Sequence, residues 1–285
     1  MPPRLPRSKA PSGRRALLPL ALLSLALGDG SPAALDAYSF AGESATRWRL
    51  PHQLGEVSGL ATLGERLFAH GDERGIVYEL DYRRGRFLKA FALGETTARD
   101  DFEGIEIVDG RFWLVTSSGR LYESAEGGDG ERVLYNTYGT EVGGDCDVEG
   151  LAFEPADAAL LLLCKRAQAG GFVAIHRWSV DRRSRAEGSP TLIPVSTLAR
   201  EIGEKTFSPS GIARHPSTGH YLLVAAREGA IAEVTPTGEV VSVRKLPRRH
   251  RQPEGIALIG GRLLALADEG GSGRAHLTLY EPELG

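Results

Sequence analysis

The chain has little sulfur, with two cysteines (Cys146 and Cys164) and one methionine in 285 residues, and a single asparagine, Asn136. Its longest apolar run is twelve residues, which excludes a multi-pass membrane architecture, since a spanning helix needs about 20. It also lacks any overall basic excess. The formal charge is −3, and the five bases of residues 1–28 (Arg4, Arg7, Lys9, Arg14, Arg15) face no acid there. The 34 bases less those five leave 29 against 37 acids, and an acidic body argues against nucleic-acid partners, which need a basic footprint. Motif searches add further absences: no G-x-S-x-G nucleophile elbow, no H-E-x-x-H, no P-loop and no strand-linked G-x-G-x-x-G.

What is abundant is glycine, at 36 residues, with 16 prolines, on a composition 41% hydrophobic and 25% charged. That is a soluble, turn-rich chain, and many turns imply many short strands. Residues 1–28 have the layout of a secretory signal: a basic, Pro-rich start, the apolar run 16–27, then small residues at Gly28, Ser31, Ala33 and Ala34. An uncleaved N-terminal anchor is the alternative. No cysteine follows the run to offer a lipidation site. The mature part, 29–285, is expected to be one domain outside the cytoplasm, periplasmic or secreted, or tethered to the inner membrane by that segment. An oxidising compartment permits a disulfide between Cys146 and Cys164. Two buried small hydrophobes is the other option, because the strand register inferred below sets the pair about three positions out of alignment.

One short phrase recurs five times: Val57-Ser58-Gly59-Leu60-Ala61, Phe102-Glu103-Gly104-Ile105-Glu106, Val148-Glu149-Gly150-Leu151-Ala152, Pro209-Ser210-Gly211-Ile212-Ala213 and Pro253-Glu254-Gly255-Ile256-Ala257. Its glycines are spaced by 45, 46, 61 and 44 residues. A period near 45 is the length of a four-stranded propeller blade. After each phrase come a tight turn and an apolar strand (67–70, 112–116, 160–164, 221–226, 263–267), then a third strand (76–80, 120–124, 172–180, 230–235, 275–281). Four units supply a fourth strand, at 86–93, 132–138, 191–196 and 239–246. The fifth unit ends without one, and residues 44–50 have strand character without a partner. The expected fold is therefore all-β, a five-bladed propeller closed by the N-terminal strand, with six blades as the alternative. The long interval places a charged excursion and a short helix between Asp181 and Thr206.

In a propeller, first strands line the axis, and the loop leading into each lies on the same rim as the loop joining strands two and three. That rim gathers Asp72, Asp101, Lys165, Arg227, Asp268 and Glu269, together with the lone rim histidine His70, which reads as solvated. The opposite face receives hairpin turns of low chemical content. Innermost should be the residue before each repeat glycine: Ser58, Glu103, Glu149, Ser210 and Glu254. Such a ring of hard oxygen donors suits Ca²⁺. Without a cation, three convergent glutamates repel and at least one pKa rises, unless Lys165 or Arg227 relieves it. The competing explanation is that each Glu accepts backbone N–H bonds that tie blades together. Asp145-Cys146-Asp147-Val148-Glu149-Gly150 imitates the start of an EF-hand loop, but Ala156 at the twelfth position and the following strand exclude one. The run Arg248-Arg249-His250-Arg251 reads as a solvated charge cluster.

With these phrases aligned, residues 48–283 resemble the SdiA-regulated, YjiK-like β-propeller family of bacterial extracytoplasmic proteins. The match rests on residues 55–61, 101–107, 147–155, 160–165, 207–219, 252–258 and 265–271. The resemblance implies a periplasmic or membrane-tethered propeller with a link to calcium and no settled enzymatic activity. Calcium-dependent lactonases of the regucalcin and gluconolactonase type, and propeller phytases, share the logic more distantly. The near absence of asparagine departs from the former, and the lack of a dense acidic surface from the latter. The expected function is a monomeric propeller binding calcium, or a small-molecule or protein ligand, at its acidic mouth in envelope signalling or scaffolding. The alternative is a calcium-dependent hydrolase of phosphoesters or lactones.

Overall fold

A computed structural model describes residues 1, 33–41, 45–144, 146–165, 170–271 and 273–283, so the signal-like segment 1–28 lies almost wholly outside the described residues. Residues 33–285 form one compact unit. Strand β1 (Thr46–Arg49) precedes the first repeat. Blade one contains β2 (Val57–Leu63), β3 (Arg66–Gly71), β4 (Ile76–Asp81) and β5 (Arg86–Leu93). Blade two contains β6 (Phe102–Val108), β7 (Arg111–Thr116) and β8 (Arg120–Ala125); the short β9 (Arg132–Val133) then pairs back onto β5, before β10 (Tyr135–Gly139) completes the blade against β8.

Blade three contains β11 (Val148–Glu154), β12 (Ala159–Cys164) and β13 (Phe172–Ser179), with β14 (Ser184–Arg185) and β15 (Thr191–Pro194) sharing the outer edge of β13. Helix α1 (Val195–Glu201) follows, as the long interval implies. Blade four is β16 (Gly211–Arg214), β17 (Tyr221–Ala225), β18 (Ala230–Val234) and β19 (Val240–Lys245). Blade five is β20 (Pro253–Ile259), β21 (Leu263–Asp268) and β22 (His276–Tyr280). Its fourth strand is β1, antiparallel to β22 with Trp48 opposite Leu277, so the N-terminal strand closes the ring of five blades.

The expected strand 132–138 is divided between two blades. Val133 and the loop before it fill the gap beside Phe91 at the edge of blade one, and only from Tyr135 does the chain run along β8.

The core is not central. It consists of five apolar layers, one between each pair of neighbouring blades, and the layer between blades four and five also takes Leu35, Tyr38 and Phe40 of the N-terminal segment. A middle strand touches a neighbouring blade on both faces, which is why β12 (Ala159–Cys164) is buried at every position instead of alternating. The five inner strands crowd at the axis. A Cβ at Gly104 would stand 2.6 Å from the Leu151 backbone nitrogen, and one at Gly211 would collide with the Glu254 carbonyl oxygen. In blades two and four the repeat glycine is thus required by backbone-to-backbone approach, while at Gly59 and Gly255 the side chains of His70 and Leu60 take the space.

Candidate functional site

In four of the five inner strands the ladder slips just at the repeat phrase: between Val57 and Gly59, Phe102 and Gly104, Val148 and Leu151, and Pro253 and Gly255. Such bulges re-aim a side chain. Here they fall at Ser58, Glu103, Glu149 and Glu254, at the rim end of each strand. Ser58 Oγ donates to Glu103 Oε2 at 3.2 Å, and Lys165 Nζ donates to Glu149 Oε1 at 2.9 Å. Ser58, Glu103 and Glu254 line the narrowest part of the axis.

The electrostatics join these groups into one cluster. Burial, then Glu149 and Asp101, raise the Glu103 carboxyl to about 8. Burial, then Glu269, Glu103 and Glu149, raise Glu254 to about 8 as well. Glu149 is raised by burial, and Lys165 holds it back. Glu269, beside Glu254, is itself raised by burial and by Asp72 and Glu56. Asp72 is raised by burial and by Glu56 and Glu73, and borders a surface cavity of about 470 Å³ with both of them. Lys165 is the base that acts on the ring; Arg227 is exposed.

Several sequence-predicted residues have other partners. Ser210 donates to the Pro253 carbonyl at 2.7 Å and accepts from the Ala226 N–H at 3.0 Å, bridging blades four and five. Asp101 accepts from Ser117 Oγ at 2.5 Å on the open rim. Asp268 is buried, and its Oδ2 binds His250 Nδ1 at 2.8 Å, while His250 Nε2 meets the Tyr280 hydroxyl at 2.7 Å. His250, expected among solvated charges, is therefore a core residue. His70 is also fully buried rather than solvated; it bonds the Gly71 carbonyl through Nδ1 and packs its ring against Gly59, and burial lowers its pKa to about 4.

Cys146 and Cys164 are joined in a disulfide with Cα atoms 5.6 Å apart. Cys164 pairs with Val148 in the ladder, so the lead-in loop needs to return only two residues to reach it. Asp145 lies outside the described residues.

The opposite mouth is not chemically bare. Glu106 lines a cavity there of about 280 Å³. Its signal is in the repeat itself, because the other four phrases have alanine at this position: Ala61, Ala152, Ala213 and Ala257. Among the described residues, no helix is long and apolar enough to cross a membrane.

Neither a protein-family model nor a curated protein sequence matches the chain. Solved structures do. Glutaminyl cyclase of Myxococcus xanthus superposes with a TM-score of 0.55 at 14% identity, covering 84% of this chain and 96% of that one. The PQQ-bound aldose sugar dehydrogenase of Streptomyces coelicolor gives 0.53 at 16%, covering 84% and 99%. A luciferin-regenerating enzyme gives 0.52 at 10%, covering 84% and 97%. At such identities the likeness is one of fold.

Proposed function

We propose that this β-propeller is an extracytoplasmic protein that binds a calcium ion at the acidic mouth of its central channel, as a monomer serving envelope signalling or scaffolding. The observation that carries this is the charge imbalance of the ring. Glu103 and Glu254 are held near 8 by burial and by neighbouring carboxylates, Glu149 and Asp101 for the first and Glu269, Glu103 and Glu149 for the second, and Lys165 opposes both shifts. Protons relieve that repulsion at low pH, and a divalent cation relieves it at neutral pH and above. The donors fit a hard cation: carboxylates of Glu103, Glu149 and Glu254 and the Ser58 hydroxyl, oxygen throughout. Ser210 is the weakest member of the expected set, since its hydroxyl is engaged with backbone.

The disulfide supports an oxidising compartment, in keeping with the signal-like start of the chain. The recurring phrases support a place in the SdiA-regulated family, and the rim cavity beside Asp72 offers room for a small-molecule or protein ligand. A second reading, a calcium-dependent hydrolase of phosphoesters or lactones, draws on Lys165, which stands beside the ring where it could steady developing negative charge. Calorimetric titration of calcium into the purified protein tests the first reading. Turnover of p-nitrophenyl phosphate, phytate or aliphatic lactones that chelator abolishes would move the conclusion to the second.

A further inference from the structure

Glu106 lies on the same strand as Glu103 but three residues further along it, about 10 Å at 3.3 Å per residue. At the level of Glu103 and the inner glycines the axis narrows to a free volume of about 10 Å³, room for about one water at most. Below the pinch the channel widens into the cavity of about 280 Å³ that opens toward the hairpin turns. Glu106 is not among the residues proposed to hold calcium, so the second mouth is a separate site.

Leu60, Leu151, Phe153, Ile212 and Ile256 give that cavity an apolar part of its wall, polar groups make up the rest, and Glu106 and Arg214 are its ionisable residues. They are not equivalent. The Arg214 guanidinium forms an ion pair with Glu154, Nε to Oε1 at 3.1 Å, and that carboxylate also accepts from the Tyr221 hydroxyl at 3.1 Å. Glu106 has no cationic partner among the described residues. Its carboxylate accepts the Ile107 N–H at 2.8 Å and is also bonded by the Phe153 N–H, and burial raises it to about 7. At the turn end of the cavity, Glu65 is engaged with Tyr82 and Arg83. What remains is one carboxylate without an ion-pair partner among the described residues, beside an apolar stretch of wall and placed where four sister repeats put a methyl group. A carboxylate desolvated in this way favours a cation that brings its own apolar surface.

We propose that the second mouth is a binding site for a small organic ammonium ion with a short aliphatic body, its nitrogen held by Glu106 and its chain by the surrounding wall. The cavity is smaller than those that hold drug-sized ligands, which limits the body to a few carbons.

The test titrates n-butylammonium into the full protein, followed by calorimetry or NMR shifts, with n-butanol and butyrate as probes of the same body. Butylammonium is expected to bind at least tenfold more tightly than either. It should also bind about tenfold more tightly at pH 8 than at pH 6, as the ionised fraction of the carboxyl grows. Glu106→Ala installs the residue of the other four blades and should remove binding while keeping the thermal transition. Glu106→Gln keeps a hydrogen-bonding group and should lose at least tenfold. Glu103→Gln should leave butylammonium binding as it is. Equal binding by Glu106→Ala, equal affinity for n-butanol, loss of binding in Glu103→Gln, or no binding of butylammonium at millimolar concentration would each overturn the proposal.

Discussion

Lys165 Nζ meets Glu149 Oε1 at 2.9 Å, and the two residues are bracketed by the Cys146–Cys164 disulfide, which fixes the loop three residues before the glutamate to the residue just before the lysine. The ion pair is part-buried, with side-chain exposures of 35% and 14%. Among the described residues it is where the acidic mouth carries its own counter-charge, and a metal ion must share Glu149 with it.

Lys165→Met is therefore expected to tighten calcium binding at pH 8 by about tenfold, near 1.4 kcal/mol, because it removes a like charge from beside the ion. Calorimetric titration of the variant and the parent measures the change. Unaltered or weaker affinity would place the ion away from Glu149.

The disulfide closes a short loop, with a sequence separation of 18. Replacing both cysteines by alanine is expected to lower unfolding free energy by about 3 kcal/mol, read from urea denaturation, with a steeper slope as the freed unfolded chain expands. Calcium affinity should fall with it, since Glu149 and Lys165 lose their common anchor.

In chelator, stability should depend on pH in two opposite ways. Glu103 and Glu254 have folded pKa values near 8, above the ordinary 4.5, so the folded state holds more protons than the unfolded state between those values. Their contribution is complete below about pH 4.5 and is lost as pH rises through 8, a fall of about 2–4 kcal/mol. Glu126, brought down to about 2 by Arg66 and Lys89, contributes stability above pH 4.5 that is lost as pH falls toward 2. Chemical denaturation across pH 3 to 9 should show a maximum near pH 5. Calcium should restore stability at pH 8, and Glu103→Gln with Glu254→Gln should flatten the alkaline limb.

Gly104→Ala pushes a methyl into the Leu151 backbone, and should cost about 2–3 kcal/mol. Gly110→Ala, at a turn with φ +74° and open space around it, should cost about 1 kcal/mol. A urea midpoint series that ranks the two the other way would contradict axial crowding as the reason for the repeat glycine.

Much of this fold is legible in the chain because a propeller repeats one local unit. The glycine spacing gives the blade length, and the unpartnered strand before the first repeat gives the closure, with Trp48 landing opposite Leu277. The ring of glutamates was legible for the same reason: a residue beside a repeat glycine inherits its place at the axis. What could not be read was side-chain direction in the loops. His70 and Asp268 lie in rim segments by sequence and His250 in a run of bases, yet all three turn inward and are buried, because blade packing decides which side of a short loop faces solvent. Glu106 was visible as the single departure from four alanines, but a charged residue on a strand has no stated destination until the cavity around it is known.

The group that neutralises the channel mouth decides what this propeller binds. The direct measurement is metal content by mass spectrometry, with calcium titration, on the protein and on Glu103→Gln, Glu149→Gln and Glu254→Gln. One calcium per chain in the parent, lost or weakened at least tenfold in each variant while the thermal transition persists, is the expected result. No calcium bound to the parent at millimolar concentration at pH 8, or undiminished binding in all three variants, would contradict it.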